Sequence, residues 1–388
     1  MTTTSLTHTK LDPAAGLRRE SPRPTALRNA DYEGQFDWNT LFYDVYRVGD
    51  HMVLQGPPYF NLLGPLLRSS PFDRMWKGWF SRLRHIERNK RGEIWLPWQE
   101  NELVLDGPIG LYRLNVQPDM ADLFAGKRVL HTLSKDNAPR WIHDWIQFYR
   151  AEHGADAVLL YDNGSTAYAA AELEADLGRA FPDMVVRVID WPFKYGPQGG
   201  LAGAVGGIEA PWDSDFCQTG SLQHARHRFL RKAASVLNVD IDEMVLSQNE
   251  RAPSDRSIFA ATEQSAGRFI KFPGQWISGA SPHALLPETC RHADFLHRDL
   301  TETRLCPPKW CIVPAAHDSV RTSWSVHNLF GSPHNRFVDE QFGYRHMTAI
   351  STSWKEKRWE TGMFDPSKFE EDTALREAFA RAKLPVSA

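Results

Sequence analysis

Long apolar runs are missing from this chain. None approaches the roughly 18 residues of a membrane-crossing helix, and the N-terminus has no apolar signal core, so a cytoplasmic protein without a membrane span is expected. Cysteine is scarce too. Cys217, Cys290, Cys306 and Cys311 are too few for a disulfide scaffold and lack paired C-x-x-C spacing, which leaves unbridged thiols. A surplus of either charge is also absent: the formal net charge is -3, which argues against a broad nucleic-acid footprint, and no nucleic-acid partner is expected. The one dense basic stretch, residues 82 to 91, reads as a solvated helix face, with peripheral contact to an acidic membrane surface as the other reading. Neither phosphate-loop nor dinucleotide spacing occurs among the glycines from Gly196 to Gly207, so that segment reads equally as a mobile lid or a plain linker. There is no internal repeat.

What the chain does have is 388 residues with 42% hydrophobic content, enough for one large or two moderate domains. Residues 1 to about 30, rich in Thr, Ser, Pro and Arg, offer little apolar area to offset their ordering entropy and are expected to be a disordered tail. From 31 to 126, short apolar stretches alternate with turn signals such as Gly56-Pro57-Pro58 and Asp106-Gly107-Pro108, the texture of a β-rich region. Its aromatics, Trp76, Trp79, Phe80, Trp95 and Trp98 among them, are read as core rather than as sugar-stacking platforms.

From 127 the pattern becomes strand, helix, strand, helix, strand. The run from Arg128 to Leu133 is a strand; Asp136 or Asn137 caps a helix with apolar positions Trp141, Ile142, Trp145, Ile146 and Tyr149, stopping near Gly154. Ala157 to Tyr161 is a buried strand ending in Asp162-Asn163-Gly164-Ser165. A helix through Leu173 and Leu177 leads to a third strand, Met184 to Asp190, and this order gives a parallel sheet with right-handed crossovers. A further helix, Ser221 to Ala234, carries His224 and His227 three apart among basic neighbours and reads as a basic face. Residues 356 to 388 form a C-terminal helical extension.

The helix at 221 to 234 feeds Val236-Leu237-Asn238-Val239-Asp240-Ile241-Asp242-Glu243, an apolar run closed by acids. On a strand, Asp240 and Asp242 project to one face, roughly 6.6 Å apart along the chain. Two carboxylates that close need a counter-charge, and a hard divalent cation carrying phosphate oxygens, Mn²⁺ or Mg²⁺, supplies one. Asp-x-Asp also occurs as an ordinary solvated strand end. Its place after a buried-type run favours a site, since ligands of open α/β sheets bind beyond the carboxyl ends of strands. Asp242 is assigned to the metal and Asp240 to the metal or the donor ribose.

In order along the chain stand Lys135-Asp136-Asn137, Tyr161-Asp162-Asn163-Gly164-Ser165, Ile189-Asp190-Trp191-Pro192, Gln223, and Asp240-Ile241-Asp242-Glu243. Together they resemble glycosyltransferase family 92 and related family-2-like bacterial glycosyltransferases, over residues 127 to 355. The resemblance implies a GT-A fold, a Rossmann-like α/β/α sandwich with a mostly parallel sheet, and a divalent cation with a nucleotide-sugar donor at Asp240 and Asp242. It makes Lys135, Asp136, Asn137, Asp162 and Asn163 candidates for base and ribose contacts, although Asn163-Gly164 is also an ordinary turn and Asn137 an ordinary helix cap. Pro308-Lys309-Trp310 and Ser325-Val326-His327 resemble the family's late Lys and His block, which implies Lys309 on the diphosphate and His327 as a metal ligand. Gly343-Tyr344-Arg345-His346 competes for that last role.

The implied reaction is hexosyl transfer to a glycan or other saccharide hydroxyl with inversion, for which Glu288, Asp294 and Glu243 are the candidate bases. Two rivals remain. A sugar-phosphate nucleotidyltransferase needs a Gly-rich, basic loop after its first strand, where this chain has Ser134-Lys135-Asp136-Asn137-Ala138-Pro139. A metal-dependent sugar-binding module needs no turnover at all.

Overall fold

The computed structural model describes all residues except 1–3, 76–81, 89, 198–212, 249, 251, 284, 287, 320, 353–363 and 388. Trp76, Trp79, Phe80 and most of the glycine-rich stretch thus lie outside the described residues. Contacts divide the chain into two units, one made of 1–122 with 191–229 and the other of 123–190 with 230–388. Residues 191–229, placed by their sequence pattern in the 127–355 domain, therefore group with the N-terminal unit.

The first unit is built on a four-stranded antiparallel sheet in the order 44–48, 51–56, 91–97, 84–88. The basic stretch at 82 to 91 is thus strand and turn, not a helix face. Leu41, Val45, Leu54, Ile94 and Leu96 form its core, and Trp95 is buried apart from them, packing on Tyr46 and Val53. The composition of residues 1 to 30 argued for disorder, yet the described part is held by its arginines. Arg19 is fully buried and donates to the carbonyls of Pro58, Asp37 and Thr40, and Arg23 pairs with Asp213 at 2.7 Å. Polar anchoring replaces the apolar burial that the stretch lacks. His224 and His227 are also buried, the first on Asp44 at 2.9 Å and the second beside Glu93, so the helix they ride is no basic solvated face. That helix runs Phe216–His224 and continues as a π-helical turn, Ala225–Leu230.

The second unit carries β1 (Arg128–Ser134), α1 (Pro139–His153), β2 (Ala157–Asp162), α2 (Ala170–Ala180), β3 (Val185–Asp190), β4 (Ser235–Asn238), β5 (Glu243–Ser247), α3 (Ile258–Gln264), β6 (Phe269–Ile277), β7 (Cys306–Ile312), β8 (Phe342–Met347) and α4 (Thr373–Ala382). Its strands form one eight-stranded sheet in the order β3-β2-β1-β4-β7-β6-β8-β5. The first four are parallel, as the alternating pattern requires. Beyond β4 the sheet is mixed: β7 is antiparallel to β4 and β6, β8 is parallel to β6, and β5 is antiparallel to β8. The expected mostly parallel sheet is therefore confined to one half.

Local chemistry explains α1. Pro139 occupies its first turn, where a missing N–H costs nothing, and Gly154 ends it in the left-handed region at φ 69°. Neither Asp136 nor Asn137 caps it; Ala138 is the N-cap residue, and the Asn137 amide donates to Ser134 Oγ at 2.9 Å. The inner face of α1 packs with Leu130, Val158, Leu160 and Leu237 in one core. The C-terminal α4 joins the same core through Leu375 and Phe379, the latter edge-on to Phe148 with ring centroids 5.8 Å apart.

A short link bends the sheet. Only Val239–Asp242 connect β4 to β5, although three strands lie between them. In a flat sheet the gap is about 19 Å, at about 4.8 Å per strand, and a link that includes a turn does not cover it. The sheet curls instead, bringing β5 and the link against β6, β7 and β8.

Candidate functional site

The curl gathers charged side chains from four elements. Asp240 and Asp242 lie not on a strand but in the turn after β4, because pairing ends at Asn238 and the turn closes on itself: Glu243 N donates to Asp240 O at 3.1 Å, and Asp240 N donates to the Glu243 carboxylate at 2.8 Å. The two aspartates consequently part. Asp240 pairs with Lys309 of β7 at 2.7 Å, while Asp242 accepts from His346 Nε2 of β8 at 3.0 Å. Glu243 lies between, 3.0 Å from Lys309 Nζ and 3.9 Å from His346 Nδ1. The indole of Trp276, directly opposite His346 in the β6–β8 register, stacks on the imidazole with centroids 4.3 Å apart and planes 20° from parallel.

Burial sets the electrostatics. The side chains of Lys309 and Glu243 are each 1% exposed, Asp242 14% and Asp240 40%, so the site opens on the Asp240 side. Burial raises Glu243 to about 7, against the pull of Lys309. For Lys309 burial opposes the charge, but Asp240 and Glu243 outweigh it and hold the ammonium above its ordinary value. Burial likewise opposes charging His346, yet Asp242 and Glu243 push the imidazole up to about 10. Each of the two cations therefore exists here because of the acids around it.

Among the described residues, Asp242, Glu243 and His346 are grouped so that one donor atom from each lies within 4.8 Å of the others. The set fits a divalent ion. It offers two carboxylates and an imidazole, a donor mix suited to Mn²⁺ or Mg²⁺ and their neighbours. His346 Nδ1 is buried, with Glu243 at 3.9 Å and the Cys306 side chain beside the ring. Two features oppose the ion: the Lys309 charge already offsets part of the acid cluster, and the His346 imidazole, raised to about 10, must release its proton before it can ligate.

No protein-family profile matches this chain, and no curated protein does. A solved structure, the apo form of the bifunctional glycosyltransferase WbbM, is similar over 43% of this chain and 27% of its own length, with 13% identity and a TM-score of 0.27. Similarity at that level carries no argument about fold or activity. The site must be read from its own geometry.

The other sequence candidates fall in three places. Asp136, Asn137, Asp162 and Asn163 lie together where β1 and β2 end. The Asp136 carboxylate accepts from Thr166 N at 2.6 Å, the buried Asp162 accepts from Ser165, and Asn163 N donates to Ser134 O at 2.8 Å. Lys135 begins the same loop, its carbonyl accepting from Thr352 Oγ1 at 3.3 Å. His327 sits by β7, its Nδ1 donating to Pro308 O at 3.1 Å, and is not part of the metal-capable group. Asp294 closes its own short turn, accepting from Arg291 N at 2.7 Å and Ser387 N at 2.8 Å, and Glu288 is exposed in a turn. Of the three candidate bases, Glu243 is the one inside the cluster. Trp276 was not singled out from sequence, because nothing within Phe272-Pro273-Gly274-Gln275-Trp276 marks it beyond its strand neighbours. His131 was missed as well. It is buried on β1, donating from Nδ1 to Asn238 at 3.1 Å, and burial pushes it down to about 4. Among the described residues no helix is long and apolar enough to cross a membrane, and the four cysteines, all buried, form no disulfide.

Proposed function

We propose that the second unit carries a metal-assisted glycosyl-transfer site, moving a sugar from a nucleotide-diphosphate donor to a hydroxyl of a glycan or other saccharide acceptor. The observation that carries this reading is the convergence of Asp242, Glu243 and His346 at the mouth of a curled α/β sheet, in the stretch whose ordered motifs resemble family 92 glycosyltransferases. Mn²⁺ or Mg²⁺ held by these residues supplies Lewis acidity against the negative charge that develops on the leaving diphosphate.

The protein's own groups have distinct tasks in this reading. Asp242 and His346 hold the ion, with His346 taking the place that the sequence gave to His327. Glu243 backs the imidazole, and Lys309 pairs with Asp240 and Glu243 and offsets their charge. Asp240, the most open of the three acids, faces the donor ribose. Lys135, Asp136, Asn137, Asp162 and Asn163, at the carboxyl ends of two parallel strands, receive the base and ribose. An inverting course also needs a carboxylate to take the acceptor proton, and Glu243, raised to about 7, exchanges a proton near neutral pH.

The test is to incubate the protein with Mn²⁺ and a panel of nucleotide sugars while following nucleotide release and thermal unfolding. Release that stops with chelator supports transfer. Protection against unfolding without release points to a sugar-binding module, and pyrophosphate release from a nucleoside triphosphate and sugar phosphate points to a nucleotidyltransferase.

A further inference from the structure

His346 serves the cluster through both ring nitrogens, Nε2 toward Asp242 at 3.0 Å and Nδ1 toward Glu243 at 3.9 Å. That arrangement demands one ring plane. The terminal torsion of a histidine is broad and roughly two-fold, so the backbone of β8 does not fix the plane by itself. The hydrogen bond to Asp242 restrains the ring from one edge, and Trp276 restrains it from a face. Its indole lies 4.3 Å from the imidazole and within 20° of parallel, covering one face of the ring. The indole is itself anchored, since Nε1 donates to the Arg304 carbonyl at 3.1 Å and the Arg304 guanidinium lies 5.0 Å from its centroid.

We infer that Trp276 is the positioning residue of this site, an aromatic wall that holds the His346 imidazole edge-on to Asp242 and Glu243 and thereby preorganises them for a divalent cation. The inference rests on the metal-assisted reading above. It adds that the affinity of the ion depends on a side chain that offers it no ligand atom. A group behind a metal ligand typically contributes about ten- to a hundredfold in affinity. The indole stack acts on the plane of the ring, where a carboxylate behind the ring acts on its tautomer, and flat area over the imidazole is the property that matters.

Titration calorimetry of Mn²⁺ into the full chain tests it, with Trp276→Leu, Trp276→Met and Trp276→Phe beside the wild type and circular dichroism on each. The expected result is a loss of about tenfold or more in affinity for Leu and Met, with most of it restored by Phe, which keeps a ring over the imidazole. Of Leu and Met, whichever retains its fold supplies the comparison. If neither folds, Phe decides: wild-type-like affinity sustains the inference, and an affinity tenfold lower overturns it. Wild-type affinity in a folded Leu or Met variant overturns it, as does a Phe variant that falls as far as they do, and in either case Mn²⁺ still binds the wild type, so the metal reading stands. A wild type that binds no Mn²⁺ removes both.

Discussion

A Cβ is missing at Gly274, and a tyrosine occupies the space. A methyl group built there meets the Tyr344 ring and comes within 2.6 Å of Cys306 Cβ. Tyr344 crosses β6 at this gap and its hydroxyl donates to Pro307 O at 2.6 Å, tying β8 to β7 two residues from His346 and Lys309. Gly274→Ala should therefore cost about 1–3 kcal/mol in urea unfolding, the usual range for overpacking. Tyr344→Leu in the same chain should relieve part of that cost, and strictly additive losses would contradict the contact. His153 offers a second test. Its Nε2 donates to Val245 O at 2.8 Å, its Nδ1 accepts from Ile258 N at 3.3 Å, and burial pushes the ring down to about 4. The unfolded chain then binds a proton below about pH 6.5 that the native state refuses, so this residue's contribution is complete above pH 6.5 and declines as the pH falls toward 4. Histidine NMR should find the His153 ring still neutral at pH 5.5; titration near 6.5 would contradict its burial. At this scale the acids of the site were legible, because Asp240 and Asp242 close an apolar run. Trp276 was not, since its role depends on a residue 70 positions later that the register sets opposite it.

Elements were legible where short-range periodicity defines them. The apolar spacing from Trp141 to Tyr149, stopped by Gly154, marked α1, and three buried runs marked β1, β2 and β3. The other half of the sheet was not legible, because β6, β7 and β8 pair across long stretches of chain and their directions follow from the curl rather than from local pattern. The Asp240–Asp242 turn shows the same limit, having been read as strand when the short link to β5 forces it to bend. The sequence placed residues 356 to 388 in a C-terminal helical extension, and α4 in that stretch puts Leu375 and Phe379 in the core with α1. Phe379→Ala should cost about 3–5 kcal/mol by analogy with other buried phenylalanines. A loss under 1 kcal/mol in chemical unfolding would show that α4 is peripheral to the unit's stability.

At the scale of the chain, two units with separate cores share a sequence whose small net charge hides local concentrations of both signs. The N-terminal unit buries ion pairs such as Asp44 with Arg228 at 2.7 Å, and the second unit buries acids and bases around the curl. The sequence pattern changes texture near residue 127, and contacts divide the chain at 122–123. The return of residues 191–229 to the first unit was not visible in that pattern, because it is a matter of contacts far apart in sequence. The central claim is that the acids and the imidazole of the second unit exist to hold a divalent cation. Titration of Mn²⁺ into the wild type, Asp242→Ala, His346→Ala and His327→Ala, each checked by circular dichroism, tests it most directly. The account predicts one saturable site in the wild type that is retained in His327→Ala and lost in the other two while the fold survives; absence of binding in the wild type, or binding that persists in Asp242→Ala and His346→Ala, would contradict it.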